Sequence, residues 1–145
     1  MNELESNRNL AWEMFFSSRM NFYYHRDFSN LLRNVNIFIS IILFLLILIS
    51  IKVNIIFILT GCIFCGYFYI ERRIIIHNNL SRNYSEHTKD FERIFYSEEF
   101  SKLDLTIRDY RETEAIEAKQ EGKANKRLLN KAYDRVLREA SNLYY

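Results

Sequence analysis

The chain of 145 residues contains no proline and only 3 glycines. Ordinary usage at this length gives roughly 7 and 10. A β-sandwich or barrel needs both residues at its many tight turns, so β-rich folds are excluded. Cysteine is equally scarce: Cys62 and Cys65 are the only two. Two cysteines cannot staple a secreted disulfide scaffold. Both sit in an apolar stretch, without the cations that generate thiolates, so neither a redox pair nor a zinc site is expected. Charge of one sign is also lacking. The formal net charge is +2, too near neutral for bulk DNA binding. Residues Met1 to Glu13 carry Glu3, Glu5, Arg8 and Glu13, so no signal peptide is expected there.

Catalytic signatures are missing too. Gly61, Gly66 and Gly122 are wrongly placed for a phosphate loop. His25, His77 and His87 have no metal-ligand spacing. No serine or cysteine has the setting of a nucleophile. Neither an enzyme nor a cofactor is expected.

What is present is a segregation. The mean hydropathy of −0.19 suggests a soluble protein, but Val35 to Ile70 is 36 residues with Lys52 as the single charge. The other 109 residues carry the remaining 37 charges. A single soluble core does not fit this distribution. A straight helix of that length spans about 54 Å, against a hydrocarbon core of about 30 Å. Lys52 at its centre would cost roughly 3 kcal/mol. A turn at Ser50, Lys52 and Asn54 removes that cost. It leaves two spans, 35–51 and 53–70, with Asn54 available to cap the second. The expected fold is therefore an all-α membrane protein with a two-span transmembrane hairpin. An N-terminal amphipathic helix (1–34) precedes it and C-terminal cytoplasmic helices (71–145) follow.

Flanking charge sets the expected orientation. Arg19, Arg26 and Arg33 precede the hairpin, Arg72, Arg73 and Arg82 follow it, and the far turn has only Lys52. The positive-inside rule puts both termini in the cytoplasm of a bacterial inner membrane. Gly61 with Cys65, and Cys62 with Gly66, are small residues four apart, a spacing that lets helices approach closely in lipid. They serve either packing within the hairpin, the slightly favoured reading, or contact between copies. Asn36 and Ser40 share a face, as a pore-lining strip or an interhelical hydrogen bond.

The flanks are helical by periodicity. Residues 1–34 hold Trp12, Phe15, Phe16, Phe22, Tyr23 and Tyr24, which suit either headgroups or a protein core. Ser17-Ser18 is a candidate break or cap. Farther on, Lys89 to Glu121 has ten acids to six bases. The basic segment after it presents Lys123, Lys126, Arg127, Lys131, Arg135 and Arg138. The plain expectation is two helices folded on each other, acidic against basic, about a joint at Ala118 to Asn125. An anionic ligand or a partner on the basic face is the alternative.

The order of elements resembles the SLATT family of two-transmembrane effectors from bacterial nucleotide-signalling and reverse-transcriptase conflict systems. Trp12, Phe15, Arg19 and Arg26 carry the likeness. So does Phe28-Ser29-Asn30-Leu31-Leu32 running into Ile37-Phe38-Ile39-Ser40-Ile41. The two-span toxic effectors of some retrons are similar in layout. The resemblance implies a homo-oligomer that breaches the inner membrane and causes abortive infection. A partner such as a reverse transcriptase or nucleotide cyclase would trigger it. It carries over no catalytic residues. A membrane-anchored scaffold that recruits a cytoplasmic partner, or a phage holin, would show much the same composition.

Overall fold

The computed structural model describes residues 3–49, 54–120 and 124–143. Four α-helices account for nearly all of them: α1 (Glu3–Ile49), α2 (Asn54–Ser97), α3 (Leu103–Gln120) and α4 (Lys126–Leu143). A 3-10 turn, Phe100–Lys102, precedes α3. No strand occurs among the described residues.

α1 and α2 run antiparallel along most of their lengths. His25 meets His77 and Asn36 meets Glu71, while Trp12 meets Phe95 at the far end. The sequence holds them together by one repeat. On α1, Ala11, Phe15, Ser18, Phe22, His25, Ser29, Leu32, Asn36, Ile39, Leu43 and Leu46 are all buried or half-buried. Their spacing alternates four and three. On α2, Thr60, Ile63, Tyr67, Ile70, Ile74, His77, Ser81, Tyr84, Thr88, Phe91 and Phe95 do the same, alternating three and four. A period of 3.5 keeps one stripe on a partner helix over many turns, as in coiled coils.

The helix predicted over 1–34 does not end before the apolar run: α1 is unbroken from Glu3 to Ile49. α1 continues through Ser17-Ser18 because both hydroxyls are used by other helices. Ser18 Oγ donates to the Tyr84 carbonyl at 2.8 Å, and Ser17 Oγ lies 3.0 Å from the Tyr110 hydroxyl. Serine satisfied by a neighbour has no need to cap its own helix. The N-terminal aromatics lie on protein. Phe15, Tyr23 and Tyr24 are buried, and Trp12 and Phe22 border the same cores.

α3 and α4 do not fold on each other as expected. α3 packs on α2, where Leu103 and Tyr110 join Leu80, Tyr84 and Phe91 in the main core. α4 packs on α1, where Ala132 and Val136 close over Tyr23 and Tyr24. Apolar burial at about 25 cal/mol per Å² outweighs attraction between exposed charged faces, which contributes at most about 1 kcal/mol per pair. α4 begins at a cap: Asn125 Oδ1 accepts from the Arg127 and Leu128 amides at 3.1 and 3.3 Å. The Asn125 amide in turn donates to the Tyr24 hydroxyl at 3.1 Å.

α1 is long and apolar enough to cross a membrane. Only 11% of its most apolar 18-residue stretch is buried within the chain. Ile37, Phe38, Phe44 and Leu45 point outward.

Candidate functional site

Three helices meet at a pair of histidines. His25 of α1 and His77 of α2 are both 0% exposed, and their Nδ1 atoms are 3.0 Å apart. One Nδ1 must carry a proton while the other accepts it. On its other side, His25 Nε2 lies 3.3 Å from Glu117 Oε1 of α3. The Tyr84 hydroxyl donates to the second oxygen of that carboxylate. Tyr84 also stacks on the His25 ring, with centroids 5.4 Å apart and planes 3° from parallel. Phe28 covers His77 at 4.2 Å. Burial, with the Glu117 carboxylate beside it, raises the Tyr84 phenol above its ordinary value, which keeps it a protonated donor.

Polar contacts extend this site along the seam. Toward the apolar end, Ser29 Oγ donates to Asn78 Oδ1 at 2.7 Å and Asn36 Nδ2 donates to Glu71 Oε2 at 2.7 Å. Toward the other end, Ser18 and Thr88 lie 3.0 Å apart. A buried hydrogen bond contributes about 1 kcal/mol net, but a partner left unsatisfied costs about 1–3 kcal/mol. Sliding α1 against α2 would unpair the whole ladder. The seam therefore fixes register, which the interchangeable Ile and Leu contacts nearer Leu43 and Leu46 specify poorly.

Alongside, His87 Nε2 lies 2.9 Å from Thr113 Oγ1 of α3. Burial lowers its basicity below the ordinary value and outweighs Asp90, Asp109 and Glu86. Tyr110 accepts from Asn21 Nδ2 at 3.0 Å, tying α3 to α1 as well.

α4 is held by a clasp around Glu139. Arg19 Nε donates to Oε2 at 2.7 Å, and the Tyr23 hydroxyl reaches Oε1 at 2.7 Å. Burial pushes the Glu139 carboxyl up, but the bonds from Tyr23 and Arg19 overcome it and hold the group below its usual range. Arg135 lies over the Tyr23 ring at 4.2 Å, and Lys131 Nζ is 3.3 Å from Asp27 Oδ2.

The residues singled out from sequence divide accordingly. Asn36 makes the interhelical bond, and Ser40 Oγ donates back to the Asn36 carbonyl at 2.8 Å. Both border a cavity of about 230 Å³ with Arg33, Tyr67, Glu71 and Asn78. Packing within the hairpin is not what Gly61, Cys62, Cys65 and Gly66 provide. A Cβ at either glycine would meet nothing within 4 Å, and both cysteines are exposed. The small face points away from α1 because the seam uses Thr60, Ile63, Tyr67 and Ile70 instead. Asn54 is the first residue of α2, while Ser50 and Lys52 lie outside the described residues. Of the basic face, Lys131 and Arg135 are spent on α1, and Arg138 Nε donates to the Asp134 carbonyl at 3.2 Å. Lys126 and Arg127 remain exposed, and Lys123 lies outside the described residues.

Metal-ligand spacing does not reveal His25 and His77 as a pair, and Glu117 stands among many acids of α3 with no spacing signal of its own. The findable signal was the heptad, which places both histidines on facing stripes. Comparison with family models, curated proteins and solved structures finds no match to this chain.

Proposed function

We propose that this chain is an effector of a bacterial antiphage system, resident in the inner membrane with both termini cytoplasmic. α1 and α2 would cross the bilayer as a two-span hairpin over residues 35–70, turning at Lys52. Copies assemble and breach the membrane when a partner, of the reverse-transcriptase or nucleotide-cyclase kind, releases the cytoplasmic helices. Abortive infection follows.

The observation that carries this reading is the uncovered small face of Gly61, Cys62, Cys65 and Gly66. Small residues four apart permit close helix approach in lipid, where van der Waals packing replaces the hydrophobic effect. It is supported by an outward apolar belt on both helices, Phe38 and Phe44 on α1 with Phe64 and Phe68 on α2. A belt of this extent is unfavourable in water. The likeness to SLATT effectors supplies the defence context.

Cys62 and Cys65 are built-in reporters of assembly. Mild oxidation of isolated membranes is expected to give disulfide-linked dimers, absent from a C62A/C65A variant. A wild-type chain that stays monomeric under oxidation would overturn the assembly.

A second reading, a membrane-anchored scaffold, is favoured by Leu105 and Ile116 on α3 and Leu137 on α4, which are exposed apolar residues outside the apolar run. Exchange of residues 35–70 for an unrelated hairpin separates the two. A scaffold keeps its function, whereas an effector loses it.

A further inference from the structure

Immediately beyond the apolar run of α2, a cavity of about 370 Å³ is lined by Tyr69, Arg72, Arg73, Ile76, Lys119 and Gln120. Among the described residues of this lining, three of six are cations and none is acidic. We propose that this cavity binds the phosphate headgroup of an anionic membrane lipid. The inference rests on the reading that α1 and α2 cross the bilayer.

Depth is the first argument. Arg72 and Arg73 follow Ile70 by two and three residues, about 3–4.5 Å along the helix axis, which is headgroup level for a span ending at Ile70. Composition is the second. Tyr69 is 66% exposed at the lip of the cavity, where an amphipathic ring lies along the acyl–headgroup boundary. Ile76 supplies an apolar wall. A free phosphate would need the cations alone, whereas a lipid also uses Tyr69. Charge is the third. Arginines form forked bonds to phosphate oxygens, and Lys119 adds a point charge from a different helix.

The site spans two helices, and that gives it a consequence. Arg73 Nη1 already donates to the carbonyl of Gln120, the last residue of α3, at 3.1 Å. A headgroup between Arg72 and Lys119 would clamp the C-terminal end of α3 to α2. The same helix carries Glu117 to His25 and Tyr84. Anionic lipid would thereby hold Glu117 against His25 and Tyr84, and loss of lipid would loosen that contact.

The test uses the full chain in neutral detergent micelles doped with phosphatidylglycerol, with phosphatidylcholine, or with inorganic phosphate and no lipid. Native mass spectrometry counts retained lipid, and circular dichroism follows the melting temperature. Phosphatidylglycerol is expected to be retained and to raise the melting temperature, while the other two do neither. R72Q/K119Q, which leaves the Arg73–Gln120 bond in place, should bind phosphatidylglycerol on the order of tenfold more weakly or worse. Equal protection by phosphatidylcholine, equal protection by inorganic phosphate, or undiminished binding by R72Q/K119Q overturns the lipid site. Carbonate washing of native membranes reports separately on the underlying reading. A chain that washes off overturns the membrane span and this site with it. A chain that stays but shows no preference for phosphatidylglycerol overturns the site alone.

Discussion

His25 and His77, 52 residues apart in sequence and both wholly buried, face each other Nδ1 to Nδ1 at 3.0 Å. The bond joins α1 to α2, and Glu117 extends the link to α3. Removing either ring leaves a polar partner without its bond in a dry interior. H25A and H77A are each expected to destabilise the chain by about 2 kcal/mol or more. The double variant should cost less than the sum, with a coupling of about 0.5–3 kcal/mol in thermal unfolding. Additive losses would mean that the two rings act independently.

His87 makes stability depend on pH. Its basicity is lowered by burial, so the folded chain binds fewer protons than the unfolded chain as pH falls through 6.5. Stability is then highest above that value and declines as pH drops toward the folded value. H87Q is expected to flatten this part of the profile while keeping a side chain that can reach Thr113. A melting temperature that declines equally in both proteins between pH 7 and 5 would exclude His87 as the cause.

The clasp on α4 has the opposite kind of group. Glu139 is held below its ordinary carboxyl value by Tyr23 and Arg19 despite partial burial. Its contribution is present above about pH 4.5 and is lost as pH falls through the lower folded value. E139A is expected to free α4 at neutral pH, seen as faster tryptic cleavage at Lys126 and Lys131. The core around Tyr84 should stay protected. Cleavage rates equal to wild type would show that Ala132 and Val136 suffice to hold α4.

The turn after α2 shows what the shortage of glycine entails. Glu98 has φ 56°, the left-handed conformation in which glycine usually ends a helix. A side chain there costs on the order of 1 kcal/mol. Glu98→Gly is therefore expected to stabilise the chain by about 0.5–1 kcal/mol, read by denaturant titration. No gain would mean that Glu98 carries little strain in this conformation.

The all-helical character was legible in composition, and the joint before α4 was legible in the polar run ending at Asn125. The continuity of α1 was not. Its seam changes from Ala11 and Phe15 to Ser18, His25, Ser29 and Asn36 and then back to Leu43. A search for apolar periodicity loses such a stripe where it turns polar, and reads Ser17-Ser18 as a break. The burial of Tyr23 and Tyr24 was equally hidden, because an aromatic face suits lipid and protein alike until the partner helix is known. Only the placement of α4 on α1 decides it. The outward aim of Gly61 and Gly66 depends on which of two α2 stripes meets α1, and small residues fit either side.

Membrane potential tests the central claim most directly. In cells with the native neighbouring genes under triggering conditions, the wild-type chain is expected to collapse the potential. G61L/G66L, inserted to the same level, should leave it intact because leucine holds a second helix away from that face. Unchanged potential with the wild type, or full depolarisation by G61L/G66L, would contradict assembly through this face as the route to membrane damage.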